Sequence, residues 1–446
     1  MFVDAGSEDD TINVGSPAGL ASTIAARLTV DGNDGVDALN LSDIGSLANS
    51  AGILTSTTIT GLGLAVGVDY SRLENLTLNL GVGDNTFTLE STHTGQSTLN
   101  SGAGADTVAV HSIAGQTQVN TAAGNDQINV GNPEGQLSGI GAQLSVDGGP
   151  DFDRLYLNNT GDTLGTNLVL TPTGLTLTGM PGNLQYVNIE DFTIDLGDGD
   201  DTVTIESTHT AQTNLNLRGG NDTVYIHAIS GLTNVDAGMG DDTITVGNPA
   251  QLVDNIRATL NLFGREGSDT LYVLDSGDTK DNIGTLNDTW MSGLGMGDRL
   301  NYTTLEILSI SLGQAQDQFT INSVGTGLST LNAGTGSDSI YANLQSLPEP
   351  GIFVLNGQGG NDLIDASTSL VGLVFNGDDG DDTVRGGSGH DLIGGGAGSD
   401  ELVGNDGNDE IYGDSTFPNR ATDAAYEGFT FPGDAMTAPP PHAPCP

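Results

Sequence analysis

Cysteine, lysine and tryptophan each occur once in this 446-residue chain, as Cys445, Lys280 and Trp290, and aromatic residues make up only 5% of it. A single cysteine excludes any disulfide within the chain. Ten basic side chains stand against 58 acidic ones, a formal charge of −48. No basic stripe is available to neutralise phosphates, so nucleic acid is excluded as a partner, and so is electrostatic docking on anionic lipid. No apolar run approaches the ~18–20 residues of a membrane-spanning helix, and no transmembrane segment is expected. The opening Met-Phe-Val-Asp-Ala-Gly has neither the basic start nor the apolar stretch of a secretory signal. Thr, Asn, Gly and Asp fill positions where a helical protein would carry Lys, Glu, Ala and Leu, which excludes a helical bundle.

What the chain has in abundance is repetition. VDAGSEDDTINVGSP from Val3, VNTAAGNDQINVGNP from Val119 and VDAGMGDDTITVGNP from Val235 superpose at a constant offset of 116 residues. Three copies follow, over 3–118, 119–234 and 235–350. Inside each, a Gly-x-Gly-x-Asp turn precedes an alternating apolar strand. Its acidic position falls at Asp126, Asp153, Asp201 and Asp222 in the second copy, then at Asp242. The internal steps are 27, 48, 21 and 20 residues. A step near 20 reads as one structural coil and 48 as two.

Alternation such as Leu215, Val224, Ile226 and Val235 sends every second side chain to one face, which a single coil cannot bury. Stacked coils bury it against one another, so the expected fold is all-β: a parallel β-solenoid with coils of about 20 residues. The 27-residue step carries an insertion after Pro17, Pro133 and Pro249, and a short helix and an irregular loop both stay open there. Near Pro348 and Pro350 the phase slips, since Asp338 to Asp362 spans 24 residues, which places a boundary at 350. The stretch 415–446 ends in APPPHAPCP, a solvated, extended tail in which proline forbids strand pairing.

From Gly377 the step shortens to nine residues for four units, GDDGDDTVR, GGSGHDLIG, GGAGSDELV and GNDGNDEIY, with a looser unit GQGGNDLID from Gly357. These match the pattern G-G-x-G-x-D-x-U-x, with U a large apolar residue. Glycines at Gly380, Gly389, Gly398 and Gly407 permit positive φ and leave carbonyl oxygens facing a common point. The Asp two residues later supplies charge, and calcium takes six to eight such oxygen ligands. Here the sequence resembles the RTX, or haemolysin-type calcium-binding, repeat family, closely over 377–412. The resemblance implies a parallel β-roll over 351–414 in which each nonapeptide is half a coil and Ca2+ lies between turns eighteen residues apart. The residues it implicates are Asp382 with Asp400 on one edge, Asp391 with Asp409 on the other, the glycines Gly377, Gly386, Gly395 and Gly404 that open the units, and Asp362.

Upstream, Asp106, Asp126, Asp201, Asp222, Asp242 and Asp338 form a candidate metal ladder. Like charges stacked at the ~5 Å strand spacing repel unless a cation or strong hydrogen bonding intervenes. The other reading is that these acids close their turns through their own backbone. His93 and His209, copies of each other, read as surface turn residues.

No catalytic residue is expected. There is no H-E-x-x-H and no Walker loop, and the G-x-G runs precede strands. The expectation is a calcium-binding, secreted structural or adhesive solenoid, such as a stalk, surface-layer element or adhesin, folded by calcium outside the cell. It would self-associate end to end or meet a cell-surface glycan. The alternatives are an ancillary domain of a larger RTX toxin or enzyme, or a β-helix polysaccharide lyase or epimerase, against which the scattered arginines speak.

Overall fold

A computed structural model describes residues 1–413 of the protein. The expected tail over 415–446, with Cys445, lies outside the described residues. The chain divides into two compact units, residues 1–220 with 231–233, and residues 221–230 with 234 onward.

In the first unit the regular coil consists of two strands and two turns. Gln96–Asn100 lies in one sheet, Thr107–Val110 in a second, and the next coil lays Thr117–Asn120 and Gln127–Val130 beside them, parallel and in register. Leu99 pairs with Val119 and Val108 with Ile128, and all four side chains are buried. The step of 20 residues is therefore one coil. β-branched and Leu residues alternate with Thr, Asn and Gln, so the apolar half of each strand enters the space between the sheets. Each fully buried side chain of this size contributes roughly 1.5–3 kcal/mol. The second unit repeats the arrangement, with Thr243–Val246 pairing Thr270–Leu274 in one sheet and Gln318–Ile321 pairing Ser339–Ala342 in the other. The fold is a parallel β-solenoid.

The 48-residue step holds more than two plain coils. Between Asp37 and Asn85, Ala51–Leu54 runs forward, Thr58–Gly61 returns antiparallel, and Val68–Ser71 runs forward again in the same sheet. Val68–Ser71 pairs with the earlier Leu28–Asp31, and Ala51–Leu54 pairs with the later Thr86–Leu89. The same Z-shaped insertion recurs at 167–187 and 283–303. Each is pinned by a buried tyrosine whose hydroxyl donates to a turn carbonyl: Tyr70 to Thr55 O at 2.5 Å, Tyr186 to Thr171 O at 3.0 Å and Tyr302 to Asn287 O at 2.6 Å.

Each copy advances the chain by an odd number of strands, eleven from Thr11–Val14 to its equivalent Gln127–Val130. Equivalent strands of the first and second copies therefore lie in opposite sheets of the first unit. The insertion after Pro17 makes a single 3-10 turn, Ala21–Thr23, whereas those after Pro133 and Pro249 are irregular and hold one isolated bridge each, Ile113 to Ile140 and Ile229 to Ile256. Across Pro348 and Pro350, Leu328–Asn332 pairs in register with Ile352–Gly359.

Candidate metal centre

Every Gly-x-Gly-x-Asp turn delivers its aspartate to the mouth of a strand, where the side chain reaches the adjacent coil. In the first unit the N–H of Asn85 donates to Asp106 Oδ1, that of Asp106 to Asp126 Oδ1, that of Asp126 to Asp153 Oδ1 and that of Asp153 to Glu190 Oε2, at 2.7–2.8 Å. In the second unit Asp222 donates to Asp242, and Asp338 to Asp362 to Asp382 to Asp400. Asp391 likewise donates to Asp409 Oδ1 at 3.0 Å. The carboxylates thus form a ladder through main-chain amides of the neighbouring coil, and Asp317 and Asp391 also close their own turns, their Oδ2 atoms accepting from Gly313 N–H at 3.0 Å and Gly387 N–H at 2.9 Å.

This ladder does not follow one edge. In the first unit Asp106 and Asp126 open strands of one sheet, while Asp201, whose Oδ1 accepts from Thr166 N–H at 2.7 Å, opens Thr202–Ile205 in the other. In the second unit Asp222 and Asp242 enter one sheet, and Asp338, Asp362, Asp382 and Asp400 the other. The odd strand count per copy and the Z-shaped insertion exchange the edges, which a count of residues along the chain cannot register.

The second carboxylate oxygen behaves differently from the first. Oδ2 of Asp37, Asp106, Asp126, Asp153, Asp242, Asp269, Asp338, Asp362 and Asp382 is buried with no hydrogen-bond partner. Burial pushes the carboxyl of Asp106, Asp242, Asp338 and Asp391 up to about 6 and that of Asp362 up to about 7.

Asn85 reveals what that oxygen faces. There the second atom is an amide nitrogen, and it donates to the carbonyl oxygens of Ser101 at 2.9 Å and Gly81 at 3.3 Å. An aspartate in the same setting sets a carboxylate oxygen against carbonyls, an arrangement that requires a proton or a cation.

In the nonapeptides the same oxygen lies over the glycine that opens the unit. A Cβ added to Gly377 would sit 2.4 Å from Asp382 Oδ2 and 2.3 Å from Gly395 O. For Gly386 the neighbours are Asp391 Oδ2 at 2.3 Å and Gly404 O at 2.7 Å, and for Gly395 they are Asp400 Oδ2 at 2.4 Å and Gly413 O at 2.5 Å. Gly404 meets Asp409 Oδ2 at 2.3 Å. These glycines are required by close approach. Gly380, Gly398 and Gly407 are required by φ values of 143°, 149° and 141°. Gly389 departs from the expected positive φ. It is glycine because a Cβ would lie 2.2 Å from the Val371 carbonyl carbon.

The donors fit a hard cation: carboxylate and carbonyl oxygens converge in pairs, and unpartnered buried charge awaits compensation. Among the described residues no three His, Cys, Asp or Glu side chains form a metal-holding group, so main-chain carbonyls would have to supply most ligands. His93 and His209 are not surface residues. Each is half-buried, edge-on to Tyr70 or Tyr186 at 5.9 and 5.7 Å, and desolvation lowers its pKa.

No protein-family model and no curated protein matches this chain. Among solved structures it is similar to a hyperactive, Ca2+-dependent, β-helical antifreeze protein from an Antarctic bacterium, at 17% identity over 78% of this chain and 86% of that one. The TM-score is 0.19, and the solenoid rests on the strand pairing described above, not on that likeness.

Proposed function

We propose that the protein is a calcium-binding, secreted β-solenoid of the RTX kind, serving as a structural or adhesive element. The observation that carries the reading is the buried, unpartnered aspartate Oδ2, as at Asp382, set where Asn85 donates to two carbonyls, in a turn repeated in strict tandem at Asp391, Asp400 and Asp409, each with Oδ2 over the glycine that opens its unit. Those four aspartates, with the carbonyls of Gly395, Gly404 and Gly413, would hold calcium. A bound ion supplies positive charge where the chain has only acids. The chain's part is to present the oxygens, to exclude water with the stacked strands, and to keep Cβ atoms out of the way at Gly377, Gly386, Gly395 and Gly404.

The charge of −48 gives this a consequence for folding. Without cations the acids repel one another and the compact state is disfavoured, so binding energy becomes folding energy. Scarce cytosolic and abundant extracellular calcium would keep the chain loose until export. Repeats that build length and rigidity suit a stalk or surface element.

The test is a calcium titration of chelator-stripped protein followed by far-UV circular dichroism, beside a variant with Asp382, Asp391, Asp400 and Asp409 replaced by Ala. A β signal that grows with calcium, and a loss of part or all of that growth in the variant, supports the reading. A fully folded, calcium-indifferent protein overturns it.

A further inference from the structure

The three copies serve as controls for one another, and one cluster sets the third apart. At the first turn of the 48-residue step, the first copy has Asp43 and Ser46, the second Asn159 and Asp162, and the third Asp275 and Asp278. Opposite them stand Ser22, Ser138 and Asp254. Two copies thus carry one acid beside a neutral partner, and the third carries two acids with another acid at the rim.

Neutral side chains beside these acids have identifiable work, done by Asn159 in the second copy and by Ser50 in the first. In the second copy Asn159 Nδ2 donates to Asp162 Oδ2 at 3.4 Å, so side chains at these two positions meet. In the first copy Asp43 Oδ1 accepts from Ala21 N–H at 2.9 Å, and Oδ2 accepts from the Ser50 hydroxyl at 3.4 Å. Asp275 repeats half of this. Its Oδ1 accepts from Val253 N–H at 3.1 Å, but its Oδ2 is buried with no partner, in a residue with 0% exposure. The N–H of Asp278 donates to Asp275 O at 2.9 Å and holds the two acids in one tight turn.

Asp278 is also buried, and it stays ionised. Burial opposes its charge, but hydrogen bonds from Asn282 Nδ2 at 2.8 Å and Lys280 N–H at 3.0 Å outweigh it and hold the carboxyl below its ordinary value. Burial pushes Asp275 up to about 7, and the charges of Asp278, Asp254 and Asp317 add to the rise. The sole lysine does not answer this need, because Lys280 Nζ is engaged at 2.8 Å by Asp254 and its side chain is 70% exposed. The ligands the pair offers are carboxylate oxygens, which suit a hard cation over a thiol- or imidazole-seeking metal.

We propose that Asp275 and Asp278 hold a divalent, calcium-class cation at a site separate from the nonapeptides, the carboxylate of Asp278 and the free Oδ2 of Asp275 supplying its charged ligands and main-chain carbonyls the rest. The site compensates two buried acids held in one tight turn, where the other two copies carry one acid. It is independent of whether the nonapeptides bind calcium.

Equilibrium dialysis of the folded, full-length protein against calcium gives the ions bound per chain. Two variants restore pairs that this chain already folds around: Asp275→Asn reproduces the second copy and Asp278→Ser the first. Each is expected to keep the wild-type circular dichroism spectrum and to bind one calcium fewer per chain, whatever the total. If both variants bind as many ions as the wild type, the proposal is overturned and the pair is held together by a shared proton.

Discussion

The main-chain N–H of Asp362 donates to Oδ1 of Asp382, 2.8 Å away and 20 residues further along the chain. The Oδ1 of Asp362 in turn accepts from the N–H of Asp338 at 2.8 Å. One side chain thus links its own coil to the one before, while its Oδ2 stays buried against the loop. The aspartate has two roles that substitution can separate, tethering the coil and carrying a charge.

Replacing Asp362 by Ala removes the tether and leaves the Asp338 amide without its acceptor, a loss expected to cost about 1–3 kcal/mol. Asp362→Asn keeps Oδ1 and converts Oδ2 to a donor, as Asn85 already does. In chelator it is expected to be at least as stable as the wild type at pH 7, and with calcium to lose part of the added stability. Denaturant melts of the three proteins with and without calcium measure both effects.

Stability of the calcium-free protein should fall as pH rises. The carboxyls of Asp106, Asp242, Asp338 and Asp391 are raised to about 6 and that of Asp362 to about 7, from an ordinary value of 3.8. Their protonated forms favour the folded state. That contribution is complete below pH 3.8 and is lost as pH climbs through 6 to 7. Thermal melts in chelator should show a higher Tm at pH 5 than at pH 8, and calcium, which favours the ionised form, should narrow the gap. A chelated protein more stable at pH 8 would contradict this.

Gly377→Ala should destabilise by roughly 1–3 kcal/mol, because the new methyl meets Asp382 Oδ2 at 2.4 Å and Gly395 O at 2.3 Å, and both sit in a packed turn. Pairing it with Asp382→Ala should recover part of the loss, since one of the two clashing atoms is then gone. A double-mutant cycle on chemical denaturation reads the coupling.

Tyr186→Phe removes the hydroxyl that donates to Thr171 O and leaves the ring in place, so a loss of about 0.5–1.5 kcal/mol is expected. Faster hydrogen exchange should be confined to the Z-shaped insertion at 167–187. Uniformly faster exchange throughout the first unit would mean that the insertion is not a local element.

The solenoid was legible because its information is periodic. The 116-residue offset, the 20-residue coil and the alternation of Val, Ile and Leu with Thr and Asn are properties of spacing, and spacing maps directly onto stacked parallel strands. The Z-shaped insertion was not, because the turn before Thr58–Gly61, where the Thr55 hydroxyl accepts from the N–H of Thr57 and Thr58, marks a reversal of the chain without saying that the return strand joins the same sheet.

Within the candidate site, the aspartates and glycines were legible as a motif, but the division of labour among them was not. Gly380 and Gly377 look alike in a pattern. One answers to its own φ and the other to a carboxylate five residues on together with a carbonyl of the next coil.

The amino-acid sequence alone determined the fold class, the coil length, the acidic character and the places where carboxylates recur, since each follows from local composition and period. Only the tertiary structure decided which edge each aspartate occupies and which of its oxygens is satisfied. Those outcomes turn on contacts between coils 18 to 37 residues apart and on an odd strand count that exchanges the two sheets, which no local stretch of chain encodes.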